Sequence, residues 1–419
     1  MNSPSASSAS TGSVRRTAAF SVLAKPSGPA CNLRCTYCFY LEKKDLFGRT
    51  TATRMQEDTL ETFVRDYIAS QDAPEVTFGW QGGEPTLRGL DFFRRAVELQ
   101  RIHGGGRKIS NALQTNGMLI NAEWAEFLAA NDFLVGISID GPGDLHDAQR
   151  VDADGDGSLQ RVLQGLEQLK AHGVEFNTLS VVSRRNVKHP LKVYRFLKDI
   201  GSRFIQFIPL VERMSSSGAL AGPPVRGTMR DEAVTKWSVG PVAYGDFLIA
   251  VFDEWVQRDV GKIFVQMFDN ALASWAGVGA TLCVFAETCG RQLVVEHDGS
   301  TYACDHYVYP EYRLGNIRSQ SFAEMLESDA QHSFGAAKRD TLPAQCRTCQ
   351  VRFACNGGCP RQRFLETATG EPGLNYLCAG YRKFFRHVDP SMRAMTNLLR
   401  QGRAPAEVMH AAQQPVVGR

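Results

Sequence analysis

No apolar run in the 419-residue sequence approaches the ~20 residues that a membrane-spanning helix requires, so no membrane association is expected. A concentrated basic excess is missing too. Lys and Arg number 47 against 44 Asp and Glu, the formal net charge is +3, and the densest basic run, "SRRNVKHP", is short. A dedicated nucleic-acid binder normally carries a basic face, so nucleic acid is not an expected partner. No internal repeat indicates a solenoid. The opening "MNSPSASSASTGSVRR" is low in complexity and rich in Ser and Ala, which predicts a disordered tail. Arg15-Arg16 followed by "TAAFSVLA" faintly resembles a twin-arginine export signal, but the apolar stretch is short and Lys25 interrupts it. The expected location is cytoplasmic.

What is present is an alternation. At 43% hydrophobic residues the chain can bury a sizeable core. From Phe20 to about Leu210, β-rich runs ("FSVLAK", "EVTFGW", "KISNALQT", "FLVGISID", "VEFNTLSVV", "RFIQFIPL") alternate with amphipathic stretches such as "QEDTLETFVRDYIAS" and "LQRVLQGLEQLKAH". Six βα units predict an α/β fold with a parallel sheet and outer helices. Six fall short of a closed eightfold barrel, so a partial (β/α)6 barrel is expected. Residues 215–239, rich in Ser, Gly, Pro and charge, read as a loop. The expected organisation is a tail over 1–18, the barrel over 19–240 and a helical bridge over 241–282. A cysteine-rich unit over 283–380 and a C-terminal helix and tail over 381–419 complete it.

There are 11 cysteines, and in a reducing compartment their spacing favours metal sites over disulfides. Cys31, Cys35 and Cys38 sit in "PACNLRCTYC", directly after the first expected strand, where parallel sheets place their ligands. Three thiolates on a cubane iron–sulfur cluster leave one iron open to another ligand. The residue types also allow three buried cysteines, or zinc with a distant fourth ligand. The other eight cysteines read Cys283-x5-Cys289-x14-Cys304 and Cys346-x2-Cys349-x5-Cys355-x3-Cys359-x18-Cys378. Eight thiolates can complete two four-coordinate sites, and spacing alone permits zinc in either.

The Cys-x3-Cys-x2-Cys motif, with the aromatic Tyr37 before its last cysteine, resembles the radical S-adenosylmethionine (SAM) superfamily. The resemblance implies a 4Fe-4S cluster whose open iron chelates SAM, and reductive cleavage of SAM to a 5′-deoxyadenosyl radical. "WQGGEPTL" matches the superfamily's GGEP motif at Gly82, Gly83, Glu84 and Pro85, whose backbone would meet the methionyl amino group. Alone, it reads better as a tight turn; behind the cysteine motif it reads as cofactor-binding. Ser138 and Arg150, in "GISIDGPGDLHDAQR", fall where the superfamily contacts the SAM ribose and carboxylate. An Arg fork suits a carboxylate, though an exposed salt bridge would use the same residue. Val211 falls where an aliphatic side chain packs on adenine, or is a core valine.

The later cysteines resemble the SPASM extension of peptide-modifying radical SAM enzymes. That implies two auxiliary 4Fe-4S clusters, three in all: one held by Cys283, Cys289, Cys304 and Cys359, the other by Cys346, Cys349, Cys355 and Cys378. "LVVEHDGSTYACDHYVYPEYRLGNI" and "CRTCQVRFACNGGCPRQR" narrow the resemblance to the anaerobic sulfatase-maturating enzymes. It implies oxidation of one Cys or Ser of a nascent or unfolded sulfatase to Cα-formylglycine. The auxiliary clusters would take the departing electron, and a flavodoxin- or ferredoxin-type donor would supply the reducing electron. Asp305, next to Cys304, is then the candidate base, a role that burial would aid by raising its pKa; a hydrogen bond beside the cluster or a surface aspartate are the plainer readings. His306 could share proton traffic. Tyr40 would touch the peptide, or merely pack on the barrel. Other readings are a SPASM maturase of another ribosomal peptide, a non-catalytic iron–sulfur electron carrier, and a zinc-stabilised interaction module.

Overall fold

The six β-rich segments form six strands: β1 (Ser21–Lys25), β2 (Glu75–Trp80), β3 (Lys108–Thr115), β4 (Phe133–Ser138), β5 (Phe176–Val182) and β6 (Phe204–Pro209). Each pairs in parallel with the next, as consecutive βα units require. The computed structural model describes residues 19–40, 43, 46, 54–224 and 232–411. The tail expected over 1–18 and the last residues of the C-terminal tail, 412–419, lie outside them.

The helices outside the sheet are α1 (Glu57–Ser70), α2 (Leu90–His103), α3 (Ala122–Ala130), the short α4 (Gly143–His146), α5 (Leu159–Ala171) and α6 (Pro190–Asp199). Their apolar stripes face the strands. Helix α1 buries Phe63 and Tyr67, whose rings meet the Phe78 ring of β2 edge-on at 5.5 and 5.0 Å. Asn121 caps α3 by accepting from the Trp124 amide at 3.0 Å. In the Ser/Gly/Pro-rich segment, β7 (Arg213–Ser215) and β8 (Glu232–Val234) pair as an antiparallel ribbon where a loop was expected. The bridge forms α7 (Pro241–Arg258), the short β9 (Phe264–Val265) and α8 (Gln266–Trp275).

The sheet does not stop at the cysteine-rich region. Strands β10 (Gln292–Glu296), β11 (Ser300–Tyr302) and β12 (Arg313–Asn316) extend it beyond β1, giving the order β12-β11-β10-β1-β2-β3-β4-β5-β6-β9. Strand β10 runs parallel to β1, Ser21 opposite Gln292 and Lys25 opposite Glu296. Sequence periodicity missed this seam because β10 carries only three apolar residues, Leu293, Val294 and Val295, in a region dominated by turns. The C-terminal helix (Cys378–Arg400) lies on α7, where Gly380 and Gly245 let the backbones touch. A Cβ on Gly380 would stand 1.9 Å from the Pro241 carbonyl oxygen. The result is the expected mixed α/β architecture, an open barrel of parallel strands followed by a cysteine-rich region and a long helix.

Candidate active site

Lys25 ends β1 at the C-terminal edge of the sheet. From there the chain turns through the loop that carries Cys31, Cys35 and Cys38, all half-buried. Burial pushes the Cys31 thiol up to about 12 and Cys35 up to about 11, and the three cysteines perturb one another. Asn116, at the end of β3, directs its amide toward the Cys31 sulfur at 3.9 Å. Thiols crowded in an apolar loop are unfavourable as free anions, and an iron–sulfur cluster would remove that conflict by binding them deprotonated.

The GGEP turn leans on this loop. The Gly83 amide donates to the Gly28 carbonyl at 2.8 Å, and a Cβ on Gly83 would lie 2.1 Å from the Ala30 carbonyl oxygen. Of the four motif residues, Gly82 lines the cavity described below. Glu84 turns inward instead. Its carboxylate accepts from the Thr86 amide and hydroxyl, the Thr115 hydroxyl and the Asn116 amide at 2.6–3.0 Å. This side chain is a clamp between the turn and the end of β3; the expected cofactor contact is to the backbone of the motif.

Arg150 is buried with its fork on Asp140, at 3.0 Å and 3.2 Å. Asp140 also accepts from the Tyr37 hydroxyl at 2.6 Å and the Val181 amide at 2.9 Å. The alternative of an exposed salt bridge is therefore excluded. Asp140 holds Tyr37 and Arg150 together behind the cysteine loop, and two bonds of the guanidinium face this partner. Ser138 ends β4 and accepts from Gln114 at 3.1 Å. Val211, just past β6, is buried and lines the cavity.

The cavity, of about 330 Å³, lies at the C-terminal end of the barrel. Cys38 and Arg150 bound it on the loop side, Cys359 and Arg361 on the cysteine-rich side, and Lys25, Tyr40 and Asp305 lie among its walls. Asp305 opens a single 3-10 turn after Cys304 and forms an ion pair with Lys25 at 2.5 Å, its side chain 21% exposed. Lys25 also donates to Gln81 at 3.1 Å and sits 4.4 Å over the Tyr40 ring. Burial alone would push the Asp305 carboxyl up, but the Lys25 ammonium, helped by His306 and Arg361, outweighs it and leaves the pKa below the usual value. This corrects the expectation of a burial-raised base. His306 is held near 4 by burial and by Arg361, hence neutral, and its ring lies 5.6 Å from Phe39. The Tyr40 hydroxyl is engaged by Glu296.

The structure sorts the other eight cysteines into two groups. Cys283, Cys289 and Cys304 are each perturbed by Cys359. Cys346, Cys355 and Cys378 are each perturbed by Cys349, and all four line a second cavity of about 290 Å³. Buried cations accompany them. Lys338 donates to the Cys283 and Val284 carbonyls at 2.5 and 3.0 Å, and Arg363 to the carbonyls of Gly357, Lys338, Asn356 and Gly358. Such donors suit a region that gains negative charge when thiolates bind iron. Among the described residues no three His, Cys, Asp or Glu side chains converge on a single-ion site; a four-iron cluster spreads its thiolates more widely than one ion does.

Sequence reasoning missed Lys25, Asp140, Glu212 and Arg361. Arg361 pairs with Glu212 at 2.5 Å, both buried, and joins the cysteine-rich region to the loop after β6. Lys25 carried a usable signal: a lysine closing an apolar strand just before the cysteine loop. The others depend on contacts far apart in sequence.

Comparison with known proteins agrees with this geometry. Residues 26–197 match the radical SAM superfamily model and residues 283–350 an iron-sulfur cluster-binding domain model. A serine-type anaerobic sulfatase-maturating enzyme of Bacteroides thetaiotaomicron is 47% identical over 93% of this chain and 94% of its own. A cysteine-type enzyme of Clostridium perfringens is 35% identical over 90% of this chain and 98% of its own. The solved structure of native anSMEcpe with bound AdoMet and a peptide superposes with a TM-score of 0.79 at 35% identity, covering 90% of this chain and 99% of that one. SuiB of Streptococcus suis, 15% identical with a TM-score of 0.58 over 86% of this chain and 76% of that one, shares the fold. The chain belongs to the anaerobic sulfatase-maturating enzymes of the radical SAM superfamily.

Proposed function

We propose that this enzyme oxidises a serine of a sulfatase polypeptide to Cα-formylglycine. One observation carries the reading: a single cavity bounded by Cys38 on one side and Cys359 on the other, with the Lys25–Asp305 pair on its wall. Serine is preferred because the serine-type relative matches at 47% and the cysteine-type at 35%.

Cys31, Cys35 and Cys38 would hold one 4Fe-4S cluster with an open iron; Cys283, Cys289, Cys304 and Cys359 a second; and Cys346, Cys349, Cys355 and Cys378 a third. When bound, these clusters and SAM supply a 5′-deoxyadenosyl radical that removes a hydrogen atom from the target Cβ, and an acceptor for the electron that remains. Gly82 would offer its backbone to SAM, Arg150 and Tyr37, both anchored on Asp140, would lie beside it, and Val211 would supply an apolar wall.

Asp305 takes the proton of the target hydroxyl. Its lowered pKa does not disqualify it, because a hydroxyl on a radical carbon is far more acidic than an ordinary alcohol. Lys25 keeps the carboxylate ionised and aimed. The balance is one hydrogen atom, one proton and one electron leaving –CH2OH to give –CHO. Tyr40, its hydroxyl tied to Glu296, presents its ring to the peptide. A low-potential flavodoxin- or ferredoxin-type donor supplies the priming electron.

The test is an anaerobic turnover of the reconstituted, reduced protein with SAM and matched Ser and Cys peptides, followed by mass spectrometry. Loss of two hydrogens from the Ser peptide with release of 5′-deoxyadenosine is the expected result. Deoxyadenosine without change in either peptide would transfer the activity to another ribosomal peptide. No SAM cleavage by protein holding all its clusters would leave an electron carrier.

A further inference from the structure

The two groups of cysteines share one short turn. Cys355, which ends the one-turn helix Arg352–Cys355, belongs to the second group, and Cys359 just beyond it belongs to the first. Between them Asn356, Gly357 and Gly358 stand in succession in the left-handed region, at φ of 44°, 73° and 65°. The carbonyls of all three accept from the Arg363 guanidinium, at 2.7, 2.9 and 3.0 Å. Its other bond, at 2.5 Å, goes to the Lys338 carbonyl. A Cβ on Gly357 would stand 2.4 Å from a Leu342 methyl and 2.8 Å from the guanidinium, so glycine is required there for close approach as well as for φ.

Arg363 and Lys338 are both buried, and among the described residues neither has a carboxylate partner. Their surroundings differ. Lys338 serves the first group: its ammonium holds the Cys283 and Val284 carbonyls, and against the downward pull of burial its pKa is supported by Cys289, Cys359 and Cys283. Arg363 faces both groups. Burial pulls its pKa down as well, and the thiols that oppose the pull are Cys346 and Cys355 of the second group and Cys359 and Cys289 of the first. A buried charge held only by carbonyls is costly. It becomes favourable when negative charge gathers on either side of it, because the low-dielectric interior screens that attraction little.

Resting on the reading above that each group holds a 4Fe-4S cluster, we propose that Arg363 is a positioning residue of the electron exit. It is one buried positive charge, fixed between the two auxiliary clusters by the turn from Cys355 to Cys359, and it raises the reduction potentials of both together. The step it favours is the loss of one electron from the substrate radical and its gain by a cluster, the hydroxyl proton going to Asp305 as before. No further reactant enters. The guanidinium acts only by lowering the energy of the added negative charge.

The test is a potentiometric titration of the full reconstituted protein followed by electron paramagnetic resonance, with Cys283→Ala and Cys346→Ala assigning the two auxiliary signals and iron content measured throughout. Arg363→Gln keeps a donor and removes the charge. It should lower the reduction equilibrium constant of both auxiliary clusters about tenfold, or about 59 mV for one electron, and leave the cluster of Cys31, Cys35 and Cys38 unmoved. Arg363→Lys should restore both potentials, and Lys338→Gln should shift the first auxiliary cluster alone. A merely structural residue would change the iron content and leave the potentials in place. Fully loaded Arg363→Gln with wild-type potentials, or with only one auxiliary cluster shifted, overturns the proposal. Where Arg363→Gln fails to hold its clusters, Arg363→Lys decides. Both clusters retained at wild-type potentials sustain the proposal; shifted potentials or lost clusters reduce Arg363 to a clamp of the turn and overturn it. Wild-type protein that loads only the Cys31 loop refutes the two-cluster reading, and this proposal with it.

Discussion

The barrel and the cysteine-rich region solve the problem of an interior in opposite ways. Inside the barrel wall the large buried side chains are mostly apolar: Phe63, Phe78, Trp80 and Phe93 interlock between helices and strands, none more than 1% exposed. In the cysteine-rich region the interior holds Lys338 and Arg363, saturated by backbone carbonyls, around two groups of thiols. Apolar burial stabilises a fold by itself. Buried cations and crowded thiols are costly alone and become favourable together once the thiols are deprotonated on metal. One half is built to stand empty, the other to be filled.

The largest expected effect falls where the halves meet. Asp305→Asn should lower formylglycine formation by about 10²–10⁴-fold, the usual worth of a positioned base, while 5′-deoxyadenosine release continues. Measuring both products per turnover separates proton removal from hydrogen abstraction, and a proportional loss of the two would deny Asp305 that role. Next come paired substitutions that set the interiors against each other. Phe63→Ala should destabilise the barrel by about 3–5 kcal/mol through a cavity yet leave the iron bound per folded molecule unchanged. Lys338→Met should cost about 1–3 kcal/mol by stripping the Cys283 and Val284 carbonyls of their donor and should also lower iron content. Denaturation curves with iron assays decide, and identical iron responses would erase the contrast. The smallest effect concerns pH. Burial raises the Asp269 carboxyl to about 6, so it is neutral below that pH and charged above it. The folded state then holds this proton more tightly than the unfolded chain does, so stability should fall as pH rises from 4 to 7, and less so in Asp269→Asn.

Much of this was legible in the sequence because its signals are local. Strands β1 to β6 and their helices announce themselves by periodicity, since each buries a regular face. The cysteine loop is legible because three ligands fall within eight residues. What was hidden is non-local. Glu84 is written into a motif, but its inward turn is set by Thr115 and Asn116. Asp305 was identifiable beside Cys304; the sign of its pKa shift depended on Lys25, some 280 residues away. Asp269 lies in an ordinary amphipathic helix and becomes conspicuous when β6 and β9 leave a hollow beside it.

The parallel pairing of β10 with β1 sets an order of assembly. During synthesis β1 pairs early with β2, but its other edge stays bare until β10, ending at Glu296, has been made. The loop that bears Cys31, Cys35 and Cys38 is therefore translated long before Asp305 and Cys359. A ribosome paused in between would display that loop beside an unfinished cavity. Only the late arrival of the last third brings Asp305 and the second group of thiols to the first, so the cavity between them is complete only when the chain is.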